Sequence, residues 1–175
     1  MNNEVTDIFD IYKRFLNIVD DPTLSANFEF DSDTNTIIKY IDNKDYITTE
    51  KVTDKKKEAY IKNIQATLMN LFETSLTDEF QGFGLNVDID YDEMTINPKL
   101  DNAQTTVLVL GMVNAWVEKQ IHKSTLMRPS IHDRDFSETS HATQLASLID
   151  LRDANQQRMR RMVHNWSNVH IKVND

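Results

Sequence analysis

The sequence predicts a mainly α fold with a small β component: a helical bundle of about four helices with a β-hairpin and a short extra strand. Three observations lead there. Several long segments repeat their apolar residues at helical spacing, whereas residues 85–91 alternate them at strand spacing. The chain holds 3 glycines and 3 prolines, too few for a fold built on many tight turns. Its 175 residues suit a single domain, 1–175, with one sizeable core.

The first helix is expected over residues 4–19, "EVTDIFDIYKRFLNIV". Val5, Ile8, Phe9, Tyr12, Phe15, Leu16 and Val19 follow one of its faces. Glu4, Asp7 and Asp10 suit its positive N-terminal end, and Pro22 in "DDPT" stops it. Residues 24–54 read as a β-hairpin arm, with "NTIIKYI" and "DYITTEKV" flanking "DNKD" and strands over residues 36–41 and 46–52. A lone hairpin is barely stable in water, so this one must pack on the helices or pair with another chain.

A long helix is expected over residues 55–79, with Tyr60, Ile61, Ile64, Leu68, Leu71, Phe72, Leu76 and Phe80 along its stripe. "QGFG" then punctuates the chain. Leu85, Val87, Ile89 and Tyr91 alternate with Asn86, Asp88, Asp90 and Asp92, which predicts a strand closed by Pro98. Asp101 is the expected N-cap of the next helix, with Gln104 in capping-box register.

That helix, residues 102–124, is the most apolar element. Val107 to Leu110, Met112, Val113, Trp116, Val117 and Ile121 leave little polar face, as expected for a helix buried in a core or between subunits. Gly111 in its middle costs about 1 kcal/mol of helix propensity; it either admits a second helix closely or is simply tolerated. After a loop around Pro129, the last helix is expected over residues 138–168. Its seam reads Leu145, Leu148, Arg152, Asn155, Met159, Met162, Trp166, Val169. The polar break at Arg152 and Asn155 either sets register or partner choice, or marks where the helix leaves the core. On the second reading, residues 138–175 project as a C-terminal helix and tail.

The absence of cysteine excludes disulfides, thiolate metal sites and cysteine nucleophiles, and fits a reducing cytoplasm. The N-terminus has no basic region followed by an apolar run, unlike a secretory signal. The longest apolar run, Val107 to Leu110, is too short to span a bilayer, so no membrane partner is expected. With no glycine-rich phosphate loop, nucleophile motif or ligand constellation, the chain reads as a non-enzyme with no cofactor and no metal.

Weaker candidates each meet a plainer reading. Asp31, Asp33, Asn35 and Asp42 occupy EF-hand-like positions, but Thr36 stands where glycine belongs and Asp42 where a bidentate glutamate belongs. A solvated acidic turn fits better. Asp88, Asp90 and Asp92 share one strand face and suit either a hard cation or an exposed acidic edge. His132 with Asp133 and Asp135 has poor ligand spacing. Ser137, Glu138, Ser140 and His141 look like a helix start.

Charge is uneven. Residues 1–122 hold 11 Lys/Arg against 22 Asp/Glu, and residues 123–175 hold 8 against 6, within a chain of net charge −9. The basic part includes "QQRMRRMVHNW". On a helix Arg158 and Arg161 share a face beside Met159 and Met162, while Arg160 points elsewhere. Three readings apply: the rim of a protein contact, where Arg, Met and aromatic residues are enriched; a solvated helix face; or a phosphate-binding patch, which the acidic whole disfavours. The candidate partner-binding residues are Arg158, Met159, Arg161, Met162 and Trp166. A nucleic-acid-associated regulator or DNA-packaging factor using this basic helix is the alternative.

The run "TTVLVLGMVNAWVEKQI", the loop "MRPSIHDRDFSETS" and the helix "LASLIDLRDANQQRMRRMVHNW" resemble the small helical head–tail connector (adaptor, or head completion) proteins of tailed bacteriophages. The resemblance covers about residues 55–170 and rests on helix order and an Asn/Asp/Lys/Thr-rich texture. Residues 24–54 and the "DIDYD" strand depart from the simplest helical version. The resemblance implies a virion structural protein assembled in the host cytoplasm. It implies a homo-oligomeric ring in the neck, bound by its C-terminal helix to the portal protein and meeting other neck or tail proteins. An acidic lumen would let DNA pass without specific binding, because like charges repel.

Overall fold

The computed structural model describes residues 5–19, 21, 24, 28–30, 37–40, 54–84, 86–127 and 135–171. Four α-helices dominate: α1 (Ile8–Ile18), α2 (Asp54–Asp78), α3 (Asn102–Met127) and α4 (Asp135–Ile171). Five short strands accompany them: β1 (Thr6–Asp7), β2 (Phe28–Phe30), β3 (Ile37–Tyr40), β4 (Asp88–Asp90) and β5 (Thr95–Asn97). The mainly α class with a small β component is borne out. Where the sequence offered no boundary, the chain divides into two compact units. One comprises Met1–Asn70 and Val87–Leu100, the other Leu71–Asn86 and Asp101–Asp175.

The first unit is built on α1 and a three-stranded antiparallel sheet of order β1-β5-β4. Asp7 caps α1 by accepting the Phe9 backbone N–H at 2.8 Å, so the helix begins later than the periodicity from residue 4 suggests. Thr6 and Asp7 instead pair with Ile96 and Thr95. The Ile8 N–H continues that tie by donating to the Met94 carbonyl at 2.9 Å. The Thr6 hydroxyl accepts the Leu100 N–H at 2.7 Å. Ile8, Ile11, Tyr12 and Phe15 of α1 are buried with Ile64 and Leu68 of α2 and with Ile96 of the central strand. Tyr12 donates its hydroxyl to Met69 Sδ at 3.6 Å.

Two strand expectations change. The segment expected as one strand is a hairpin: β4 turns through residues 91–94 into β5. Asp90 makes the turn, its Oδ1 accepting the N–H groups of Asp92 at 3.0 Å and Glu93 at 2.9 Å. Met94, at φ 53°, occupies a left-handed position that glycine or asparagine usually fills. The second change concerns the arm. β3 falls within the expected residues 36–41, but its described partner is the preceding strand β2, with Phe28 opposite Tyr40. The expected second strand, residues 46–52, lies outside the described residues.

The second unit joins the end of α2, a 3₁₀ turn at Phe80–Phe83, α3 and α4. Gly84 caps the turn at φ 63°, a left-handed conformation that lacks strain only for glycine. α3 begins as expected: Asp101 Oδ1 accepts the Gln104 N–H and Gln104 Oε1 accepts the Asp101 N–H, both at 2.8 Å. This reciprocal box satisfies two donors that a helix start leaves open. From Val107 to Asn114 every residue of α3 is buried, as its composition predicts.

Gly111 does admit a second helix. A Cβ built on it would lie 2.9 Å from Ser75 Cβ and 3.3 Å from Glu79 Cγ, and would collide with Ser75 Oγ. That small-on-small crossing lets the buried Ser75 hydroxyl donate to the Leu108 carbonyl at 2.7 Å.

α4 packs by the seam read from the sequence. Leu145, Leu148, Arg152, Asn155, Met162 and Trp166 are half-buried and Met159 is buried, while Val169 is 62% exposed. The polar break is not an exit. Arg152 Nη1 donates to Glu118 Oε1 of α3 at 3.0 Å, and the helix stays packed as far as Ser167. A projecting half beyond Asn155 is therefore corrected to a packed one. No helix among the described residues is long and apolar enough to cross a membrane.

Candidate functional site

The basic helix end sorts into three environments. Met159 is 1% exposed and belongs to the core of its unit. It is withdrawn from the contact surface because its side chain is already enclosed. Met162 and Trp166 are half-buried. Trp166 is held from two sides: its ring meets Phe83 edge-on at 5.3 Å and 87°, and its indole N–H donates to Asp101 Oδ2 at 2.9 Å. Edge-to-face pairs contribute about 0.5–1.5 kcal/mol beyond area burial. One carboxylate thus caps α3 through Oδ1 and anchors α4 through Oδ2.

Arg158 and Arg161 are exposed, and neither forms an ion pair with another described residue. They continue a stripe through Leu151, 43% exposed, and Ala154, at spacings of three and four. This stripe combines an exposed leucine with two cations.

Arg160 is different. It lines a cleft of about 410 Å³ with Asp78, Glu79, Met159 and His164. Burial, and then the Asp78 charge, raises the Glu79 carboxyl above its usual range, and Arg160 pulls it partly back. Arg160 is thus a counter-charge for the acidic end of α2, and the three arginines do not act as one comb.

Another polar site lies in the second unit, and sequence reasoning missed it. Asn114 is buried in α3, and neither Oδ1 nor Nδ2 has a hydrogen-bond partner. It lines a cleft of about 420 Å³ together with Asp78, Glu79, Glu118 and Arg152. Its signal was legible: one carboxamide interrupts the apolar run "VLVLGMVNAWV".

The other candidates do not converge. Asp88 and Asp90 are exposed on β4, and Asp92 lies in the following turn. Among the described residues no three acidic or histidine side chains are grouped to hold a metal ion. Asp31, Asp33, Asn35, Asp42, His132 and Asp133 lie outside the described residues. Asp135, Ser137, Glu138, Ser140 and His141 fall in the first turns of α4, which the structure describes by backbone alone.

The chain matches no protein-family model, no curated protein and no solved structure.

Proposed function

We propose that this protein is a structural adaptor of a virion, a ring-forming connector between the head portal and the tail of a tailed bacteriophage, with the outer face of α4 as its portal-binding surface. The observation that carries the reading is the exposed Leu151–Arg158–Arg161 stripe, whose cations are unmatched among the described residues. Met162 and Trp166 border it, and Trp166 is fixed in place by Asp101 and Phe83. A rigid helix bearing arginines beside apolar side chains fits a protein contact, where a few anchored residues dominate affinity.

The partner surface is acidic, with an apolar recess for Leu151. The acidic excess over residues 1–122 suits a passage that DNA crosses without adhering. The test is assembly of the Arg158→Glu/Arg161→Glu variant. Both positions are exposed, so the variant folds and melts like the parent while losing partner assembly. Normal assembly with the portal by this folded variant would remove α4 as the docking surface.

A further inference from the structure

The buried side chain of Asn114 is an anomaly within a well-packed helix. It is 5% exposed, and both carboxamide atoms lack partners. Protein interiors seldom leave such groups open, because an unmade hydrogen bond retains the full desolvation cost. The side chain lines the cleft of about 420 Å³ in the second unit, within the size range of ligand sites.

The charges around this cleft are unequally matched. Arg152 is taken up by Glu118 at 3.0 Å and by Asp153 at 2.9 Å, so that wall is internally satisfied. Asp78 and Glu79 are neighbouring carboxylates. The burial and repulsion that raise Glu79 are only partly offset by Arg160, which meets it in the adjoining cleft. Lys119 and His122 line the same cleft and are exposed. The cleft therefore lacks a cation near Asp78 and Glu79, and a group with one donor and one acceptor at Asn114. A peptide group supplies that pair, its N–H to Oδ1 and its carbonyl to Nδ2. The absence of three grouped acidic or histidine ligands among the described residues points to an organic cation.

We propose that this cleft binds a basic residue of a partner polypeptide, its peptide group on the Asn114 carboxamide and its guanidinium or ammonium on Asp78 and Glu79. The site lies within one compact unit and stands whether or not the chain forms a ring.

The test is calorimetric titration of the full chain with N-acetyl-arginine amide. Its partners are the isosteric N-acetyl-citrulline amide, which lacks the charge, and free arginine, which lacks the blocked peptide groups. Saturable binding of the arginine amide is expected. It weakens at least about tenfold for the citrulline analogue and for Asp78→Asn/Glu79→Gln, the scale of one charge-assisted hydrogen bond. Asn114→Leu abolishes binding and raises thermal stability. Should that variant fail to fold, the acidic double variant decides alone. Equal binding of the arginine and citrulline amides, or tighter binding of free arginine, overturns the proposal. So does a crystal grown with the probe that shows only ordered water on Asn114.

Discussion

A methyl group at Gly111 would drive into Ser75 and press on Glu79. Alanine is the better helix former by about 1 kcal/mol, yet Gly111→Ala should destabilise the fold by about 1–3 kcal/mol, the usual scale of overpacking. A urea titration showing a stabilised variant would contradict the close crossing. At Glu79 the sign of the pH dependence follows from the raised carboxyl. A group whose folded value is raised supplies stability that is full below its unfolded value and is lost as pH rises through the folded one. Glu79→Gln should therefore remove that decline on the upper side of the carboxylate range. Arg160→Ala should move the Glu79 titration further up, since Arg160 is the group that lowers it. Chemical-shift titration of the Glu79 carboxyl checks both. Asp101 is the third sensitive residue, because it caps α3 and anchors Trp166 at once. Asp101→Ala should cost about 1–2 kcal/mol and change the Trp166 fluorescence. Trp166→Phe should cost about 1 kcal/mol and leave the cap intact.

Among the elements, α2, α3 and α4 were legible in the sequence because each writes a long periodic stripe, and α3 adds a capping box at Asp101 and Gln104. The seam of α4 was legible residue by residue, but its direction was not. Arg152 looked like the place where the helix leaves the core, and its partner Glu118 is 34 residues away in sequence, beyond the reach of any local pattern. The pair is partly exposed, so Glu118→Gln should cost no more than about 1 kcal/mol. The strands were harder. β1 has two residues and exists only because β5 pairs with it, a tertiary cause with no period of its own. The turn between β4 and β5 escaped notice because Met94 takes the left-handed position without the usual glycine signal, while Asp90 supplies the turn chemistry. The basic cluster was read half correctly. Arg160 does separate from Arg158 and Arg161, but Met159 lies in the core. No local pattern distinguishes a buried methionine in a seam from a contact methionine at its rim. Asn114 was visible as a polar interruption, but its missing partners are a property of packing alone.

For the whole molecule, the acidic excess of residues 1–122 and the exposed cations of α4 are the features that call for other chains. With Arg160 committed to the acidic end of α2, only Arg158 and Arg161 of the cluster remain for phosphates. Any DNA affinity through that face should be weak, with a log–log salt slope of about −2. A steeper slope in a gel-shift series would favour a nucleic-acid regulator. The adaptor reading is tested most directly by mass in solution, measured by light scattering on the chain alone, with the portal protein, and again with Arg158→Glu/Arg161→Glu. A ring-forming connector should add a ring of copies to the portal, and the double variant, equally well folded, should add none. A chain that leaves the mass of the portal unchanged, or a double variant that assembles like the parent, would contradict it.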